Sequence, residues 1–312
     1  MAEEVLVREV YGKTLLELGR ENPDIVVLDA DLSRSTMTRL FAEEFPDRFF
    51  DCGVAEQNMV GIAAGLAASG KIPFASTFCC FVPGRSFDQI RASIAQPRLN
   101  VKLVTTHGGV TCGEDGASHH SIDDLSLLGS LPGFTVIVPA DGIETAQAVR
   151  VAASRSGPFY IRLWRPKTPL VHNQDYRFTL GKAVTMRQGN DATIIALGIM
   201  VAEALDAAEN LKGEGILCRV LNMSTLKPPD KVAIIKAATQ TGAIVTAEDH
   251  LEHGGLGSIV AQVISSEEPV PIEFIALKDT YAKSGTPAEL LKRYGLTADD
   301  IAQAVRRVVK RK

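Results

Sequence analysis

The sequence carries no strong charge excess: 33 Lys and Arg face 37 Asp and Glu, for a net charge of −4. That balance argues against a nucleic-acid surface. The one basic run, "VRRVVKRK" at 305–312, reads as a helix end complementing its own dipole. No apolar run approaches the ~18 residues of a membrane span, and neither a signal peptide nor an Arg-rich presequence is visible. The five cysteines (52, 79, 80, 112 and 218) form no CxxC pair, so reduced thiols in a cytoplasmic, soluble protein are expected. No GxGxxG follows a first strand, and neither GxxxxGK[ST] nor GxSxG occurs. A dinucleotide site, a P-loop and a nucleophile elbow therefore lack support.

What is present is a core and an alternating pattern. Apolar residues make up 46% of the chain, and 312 residues suffice for about two domains of ~100–200 residues. "IVVLDAD" (25–31), "VKLVTT" (101–106), "TVIVPAD" (135–141) and "FYIRL" (159–163) read as buried parallel strands. Helical stretches such as 86–95 and 143–154 lie between them. A second series follows at 192–198, 216–222, 243–249 and 272–277. The irregular stretch 166–181 separates the two. We expect an α/β protein of two domains, each a mostly parallel sheet flanked by helices: 1–170, a linker at 171–181, and 182–312. Thr286, Pro287 and Glu289 spell an N-cap, a first-turn proline and a capping box, with Gly295 closing that helix; "TADD" (297–300) resembles a second box.

Three constellations stand out. From Cys52 to Gly70 the only charged residue is Glu56, ahead of "GIAAGLAA" (61–68). Gly61 and Gly65 share one helical face and permit close backbone packing, so that helix is expected to be buried. Glu56 reads either as a helix-start carboxylate favoured by the dipole or as a desolvated carboxylate facing a bound molecule. In "THGGVTCGEDGASHH" (106–120), three of the six histidines (107, 119, 120) join Glu114, Asp115 and four glycines after a predicted strand. That loop suits sugar hydroxyls and phosphate; a metal cluster and an ordinary loop are the alternatives. Phe78 and Phe81, three apart, are either core aromatics or a wall for a flat heterocycle. In "EDHLEHGGLGS" (248–258), His250 and His253 could seat a metal on a helix, but the glycines argue for a loop.

Taken together and in order, these segments resemble the C-terminal half of transketolase, within the thiamine-diphosphate-dependent superfamily. The carriers are "ADLSRSTMTR" (30–39), "GVAEQNMVGIAAGLA" (53–67), "TF..F" (77–81), "TTHGGVTCGEDGASHH" (105–120), "PADG" (139–142), "STLKPPD" (224–230) and "EDHLEHGGLGS". The resemblance implies a pyrimidine-binding domain followed by the transketolase C-terminal domain. It makes Glu56 the carboxylate at N1′ of the cofactor's aminopyrimidine. Phe78 and Phe81 would hold that ring, Gly84 standing where the family often has a tyrosine. Asp115 and His119 would read sugar hydroxyls, His119 also the reacting oxygens. His107, Arg39 and Arg165 would take the sugar phosphate.

The family's GDG motif, with Asn some 25–30 residues on, is missing. By the resemblance, Mg2+ and the diphosphate fall to a partner: the N-terminal subunit of a split transketolase. No metal ligand is assigned in this chain. The expected reaction moves a two-carbon ketol unit from a ketose phosphate to an aldose phosphate in carbohydrate metabolism (the pentose phosphate pathway), in an α2β2 heterotetramer joined through homodimerisation of this chain. A 1-deoxy-xylulose-5-phosphate synthase, a 2-oxo acid dehydrogenase β-type subunit and a non-catalytic binding module are the other readings. His107 and both arginines favour transketolase over them.

Overall fold

The computed structural model describes residues 3–312. Short β-branched runs form two large sheets, beside a two-stranded pairing of Glu4–Leu6 with Lys167–Pro169. The larger has seven strands in the order Thr225–Lys227, Thr135–Ile137, Phe159–Arg162, Lys102–Thr105, Ile72–Ser76, Ile25–Asp29 and Phe49–Asp51, parallel except for the first. The smaller has five: Ile272–Leu277, Ile244–Leu251, Ala192–Ala196, Cys218–Asn222 and an antiparallel Val184–Arg187. Helices cover the sheets, which is why strands such as Ile25–Asp29 and Ala192–Ala196 are buried at every residue. Both capping boxes form, Thr286 with Glu289 and Thr297 with Asp300. The C-terminal helix carries Arg306 and Arg307 in its last turn, and they pair with Glu214 and Glu273.

The two sheets are less separate than the sequence pattern implies. Thr225–Lys227 comes from the second half and pairs with Thr135–Ile137 of the first. One apolar cluster runs across both halves, joining Leu125 and Leu128 to Leu256 and Val260. The halves therefore share a sheet and a core, and parts of the second back the loops of the first.

Two local expectations are revised. The helix Glu56–Ala68 forms, but it buries Met59, Val60, Ala63 and Ala64. Gly61 and Gly65 lie on its open face, with nothing within 4 Å of an added Cβ. Their spacing marks an uncovered surface, not a tight contact within the chain. The stretch 86–95 is not one regular helix. Phe81–Gln89 kinks at Ser86, whose hydroxyl donates to the carbonyl of Val82, and Ile90–Ala95 continues as a π-helical turn.

Candidate active site

The site forms where the central strands end. Past Ser76 and Thr105 the two chains still run side by side: the Thr106 amide donates to Thr77 O (3.1 Å) and the Cys79 amide to Thr106 O (2.8 Å). This sets Phe78 beside His107, with rings stacked at 3.8 Å between centroids. Phe81 follows three residues on and lies nearly parallel to Phe78 at 5.7 Å. His119 meets Phe81 edge-on at 5.3 Å. The aromatic pair thus stacks beside two histidines, with Phe78 buried and Phe81 half-buried.

Glu56 is the first residue of its helix and only 4% exposed. It lines a pocket of about 390 Å3 with Val54, Ala55, Gln57, Asn58 and Arg85. Arg85 Nη1 lies 2.5 Å from Glu56 Oε1, and the guanidinium sits 3.9 Å above the Phe81 ring. Arg85 thus covers one face of the Phe81 ring. Sequence reasoning missed Arg85; the only signal was an arginine next to a glycine in an aromatic segment.

The third part is cationic. Arg165 Nη1 donates to Cys112 O at 2.6 Å and lies 3.5 Å from Asp115 Oδ2. Arg8, in the first turn of Val7–Glu21, donates from Nη1 to Ser35 O at 2.9 Å, while its Nε is buried without a partner. Both guanidinium groups bear on His107. Burial above all, then Arg8 and Arg165, push its pKa down to about 3, so it is neutral at physiological pH. Burial and Arg165 also lower the pKa of Arg8. A partly desolvated Arg8 and a more exposed Arg165 beside a neutral imidazole suit an incoming anion.

Arg39 makes its ion pair within its own helix. The chain turns at Met37 in a left-handed conformation and starts a new short helix, Arg39–Glu44. Arg39 then lies along that helix, 44% exposed, on Glu43 at 3.0 Å. Arg8 takes the place beside Arg165. It is brought there by the short pairing of Glu4–Leu6 with Lys167–Pro169, a contact between chain segments some 160 residues apart that leaves no local pattern.

The metal alternatives find no geometry. His250 is fully buried on a strand and His253 is exposed beyond it. Among the described residues no three of His, Cys, Asp and Glu converge to hold a metal ion.

The pattern of the transketolase pyrimidine-binding domain matches residues 3–170, and that of the transketolase C-terminal domain matches 181–301. The chain is similar to the 6-deoxy-6-sulfo-D-fructose transketolase subunit SqwH of Clostridium sp. (strain MSTE9): 43% identity, covering 99% of this chain and 96% of that one. It is similar to a subunit of the apulose-4-phosphate transketolase of Phocaeicola vulgatus, at 41% identity over 98% of each. Among solved structures it superimposes on a split-gene transketolase described as an inactive beta4 tetramer. There the TM-score is 0.93 and the identity 52%, over 99% of both chains.

Proposed function

Since this chain belongs to the transketolase family, we propose that it works as the pyrimidine-side subunit of a split transketolase that moves a two-carbon ketol unit between sugar phosphates. The observation that carries this reading is Glu56: a buried carboxylate at a helix start, opening on a pocket beside a pair of stacked aromatic rings. The family depends on thiamine diphosphate, which supplies, when bound, the carbon that carries the transferred unit. The residues present fit its aminopyrimidine end. Glu56 would hold a proton against the ring nitrogen N1′, and Phe78 and Phe81 would flank the ring. They offer nothing for the diphosphate or for Mg2+, which takes a shell of oxygen ligands; both are assigned to a partner with the GDG…Asn motif.

Asp115, exposed, and His119, half-buried against Phe81, would orient substrate hydroxyls; His119 would also hold or give a proton at the reacting oxygen. Arg8, Arg165 and neutral His107 would anchor the far phosphate. The open face of Glu56–Ala68, with Val54 and Ile62 exposed, suits a second copy of this chain, and an α2β2 assembly follows. No helix of the described residues is long and apolar enough to cross a membrane. Five free thiols fit the reducing cytoplasm. The reading is tested by assaying two-carbon transfer in the mixture of both subunits, cofactor and Mg2+. No transfer to any aldose phosphate would overturn it.

The phosphate anchor gives a graded expectation. Arg8→Ala or Arg165→Ala should raise KM for a phosphorylated donor about tenfold or more, since a charged hydrogen bond contributes roughly 1.5–3 kcal/mol. KM for hydroxypyruvate, which has no phosphate, should hardly change. Arg39→Ala should leave both values alone, because it removes only an exposed i,i+4 pair. Steady-state kinetics on the three variants checks this; equal effects on both donors would make the two arginines structural.

Arg85 has a different expected effect. A ring entering over Phe81 must displace its guanidinium and break its pair with Glu56. Arg85→Met removes an interaction of roughly 1–2 kcal/mol from the free state. The variant should bind thiamine diphosphate more tightly, by up to about tenfold, in the reconstituted enzyme. Calorimetry reads this directly, and weaker binding would show that Arg85 stays to hold the cofactor.

A further inference from the structure

His107 has φ +65°, a left-handed conformation unusual outside glycine. Something must hold it there. Three successive amides after it are each pinned. Gly108 N–H donates to Leu163 O at 2.9 Å and Gly109 N–H to Ser121 O at 2.8 Å. Val110 N–H donates to Asp249 Oδ1 at 3.0 Å. The first two acceptors belong to the same domain. The third is 139 residues away, at the end of the strand Ile244–Leu251.

The contact is built into the backbone. A Cβ on Gly109 would lie 1.8 Å from Asp249 Oδ2, and one on Gly108 would lie 2.6 Å from Arg162 Nε. The two glycines of the His-Gly-Gly segment thus make room for this carboxylate and this guanidinium. Arg162 is buried in turn. Its Nη2 donates to Ser121 O (2.9 Å) and Asp249 O (2.8 Å), and its Nε lies 3.0 Å from Asp124 Oδ2. The Leu251 amide donates to Ile122 O at 2.9 Å. The second domain also backs the turn that carries Asp115, through Ser284 against Gly116 and Pro287 against Gly113. Glu248 and His250, the neighbours of Asp249, are engaged otherwise. Glu248 accepts from the amides of Leu256 and Gly257 in its own domain (2.7 and 2.8 Å). His250 meets the carbonyl of Leu251 (2.7 Å) and, more loosely, the amide of Ser126 (3.4 Å).

We infer that Asp249 is a positioning residue: delivered by the second domain, it locks the His107–Val110 segment so that His107 is presented to the substrate phosphate. The second domain then governs substrate geometry without touching substrate, which gives the Glu-Asp-His motif a task in the reaction. The inference rests on the assignment of His107 to the phosphate site.

The experiment has two readouts. In the purified chain, the ring signal of His107, identified by its loss in His107→Gln, reports stacking on Phe78. Asp249→Ala should shift it toward the value of an unstacked imidazole, and Asp249→Asn, which keeps the acceptor for Val110, should restore it. In the reconstituted enzyme, Asp249→Ala should raise KM for a phosphorylated donor about tenfold, the loss expected for one charge-assisted hydrogen bond, with KM for hydroxypyruvate little changed. Glu248→Gln is the control: it disturbs a buried carboxylate of the same motif that does not reach the loop, and should leave the His107 signal in place. An unmoved signal in Asp249→Ala, an equal shift in Glu248→Gln, or parallel loss on both donors would overturn the inference. His107→Gln with unchanged KM for the phosphorylated donor would sink the phosphate assignment instead, while the ring signal still reads the positioning by itself.

Discussion

Glu56→Gln is expected to cut two-carbon transfer by two orders of magnitude or more, with folding intact. The change keeps size and shape but removes the ability to exchange a proton, and groups in that role contribute typically 10²–10⁴-fold. The setting explains why so much rests on one residue. Glu56 is nearly fully buried, and no other carboxylate lines its pocket. Glutamine can still accept a hydrogen bond from Arg85 but cannot hold a proton against a ring nitrogen. Melting curves of the variant should stay close to the parent, because the helix loses no packed apolar group; Met59, Val60, Ala63 and Ala64 do that work. Turnover is measured in the reconstituted enzyme at saturating cofactor, so that weaker binding does not masquerade as a chemical defect. Near-normal turnover would remove Glu56 from the mechanism.

The parts of this molecule that were legible in the sequence are those whose cause is local. Ile25–Asp29, Lys102–Thr105 and Ala192–Ala196 are short runs rich in β-branched residues and buried at every position, and such runs have few other ways to fold. The capping boxes at Thr286 and Thr297 are set by residues three apart. The strand Ile72–Ser76 was less visible because Pro73 argues against a central strand, yet it pairs on both sides. Thr225–Lys227 is three residues long and joins a sheet far away in sequence.

In the site, Glu56, Phe78, Phe81, His107, Asp115, His119 and Arg165 were marked by motif and are brought near one another. Arg39 was marked by its motif and pairs within its own helix; Arg8 and Arg85 were unmarked. Arg39 is directed locally, by the turn at Met37 and its i,i+4 partner Glu43. Arg8 and Arg85 are directed by neighbours remote in sequence, Ser35 and Glu56. Asp249 is the same case across domains.

The largest effect of all is expected from leaving the second polypeptide out. On the proposed reading, the chain would present a carboxylate and two aromatic rings to one end of the cofactor, and its cations would serve the substrate phosphate. Most of the charge of thiamine diphosphate is at the other end. Holding a diphosphate calls for a divalent cation with its own oxygen ligands, or for a glycine-rich backbone cradle at a helix start. The sequence has no GDG, and among the described residues no cluster for a metal ion forms. Alone, the chain must leave the diphosphate in water, and the pocket at Glu56 is open and spanned by Arg85. It should therefore bind thiamine diphosphate weakly and catalyse no ketol transfer. Adding the GDG-bearing subunit with cofactor and Mg2+ should produce activity that rises with partner concentration and saturates at a fixed ratio. Chelating Mg2+ should abolish it again. Calorimetry on the lone chain and a coupled assay across a titration of the partner decide the matter. Tight, magnesium-dependent binding with turnover from the lone chain would mean that it carries a diphosphate site of its own, and the split-enzyme reading would fall.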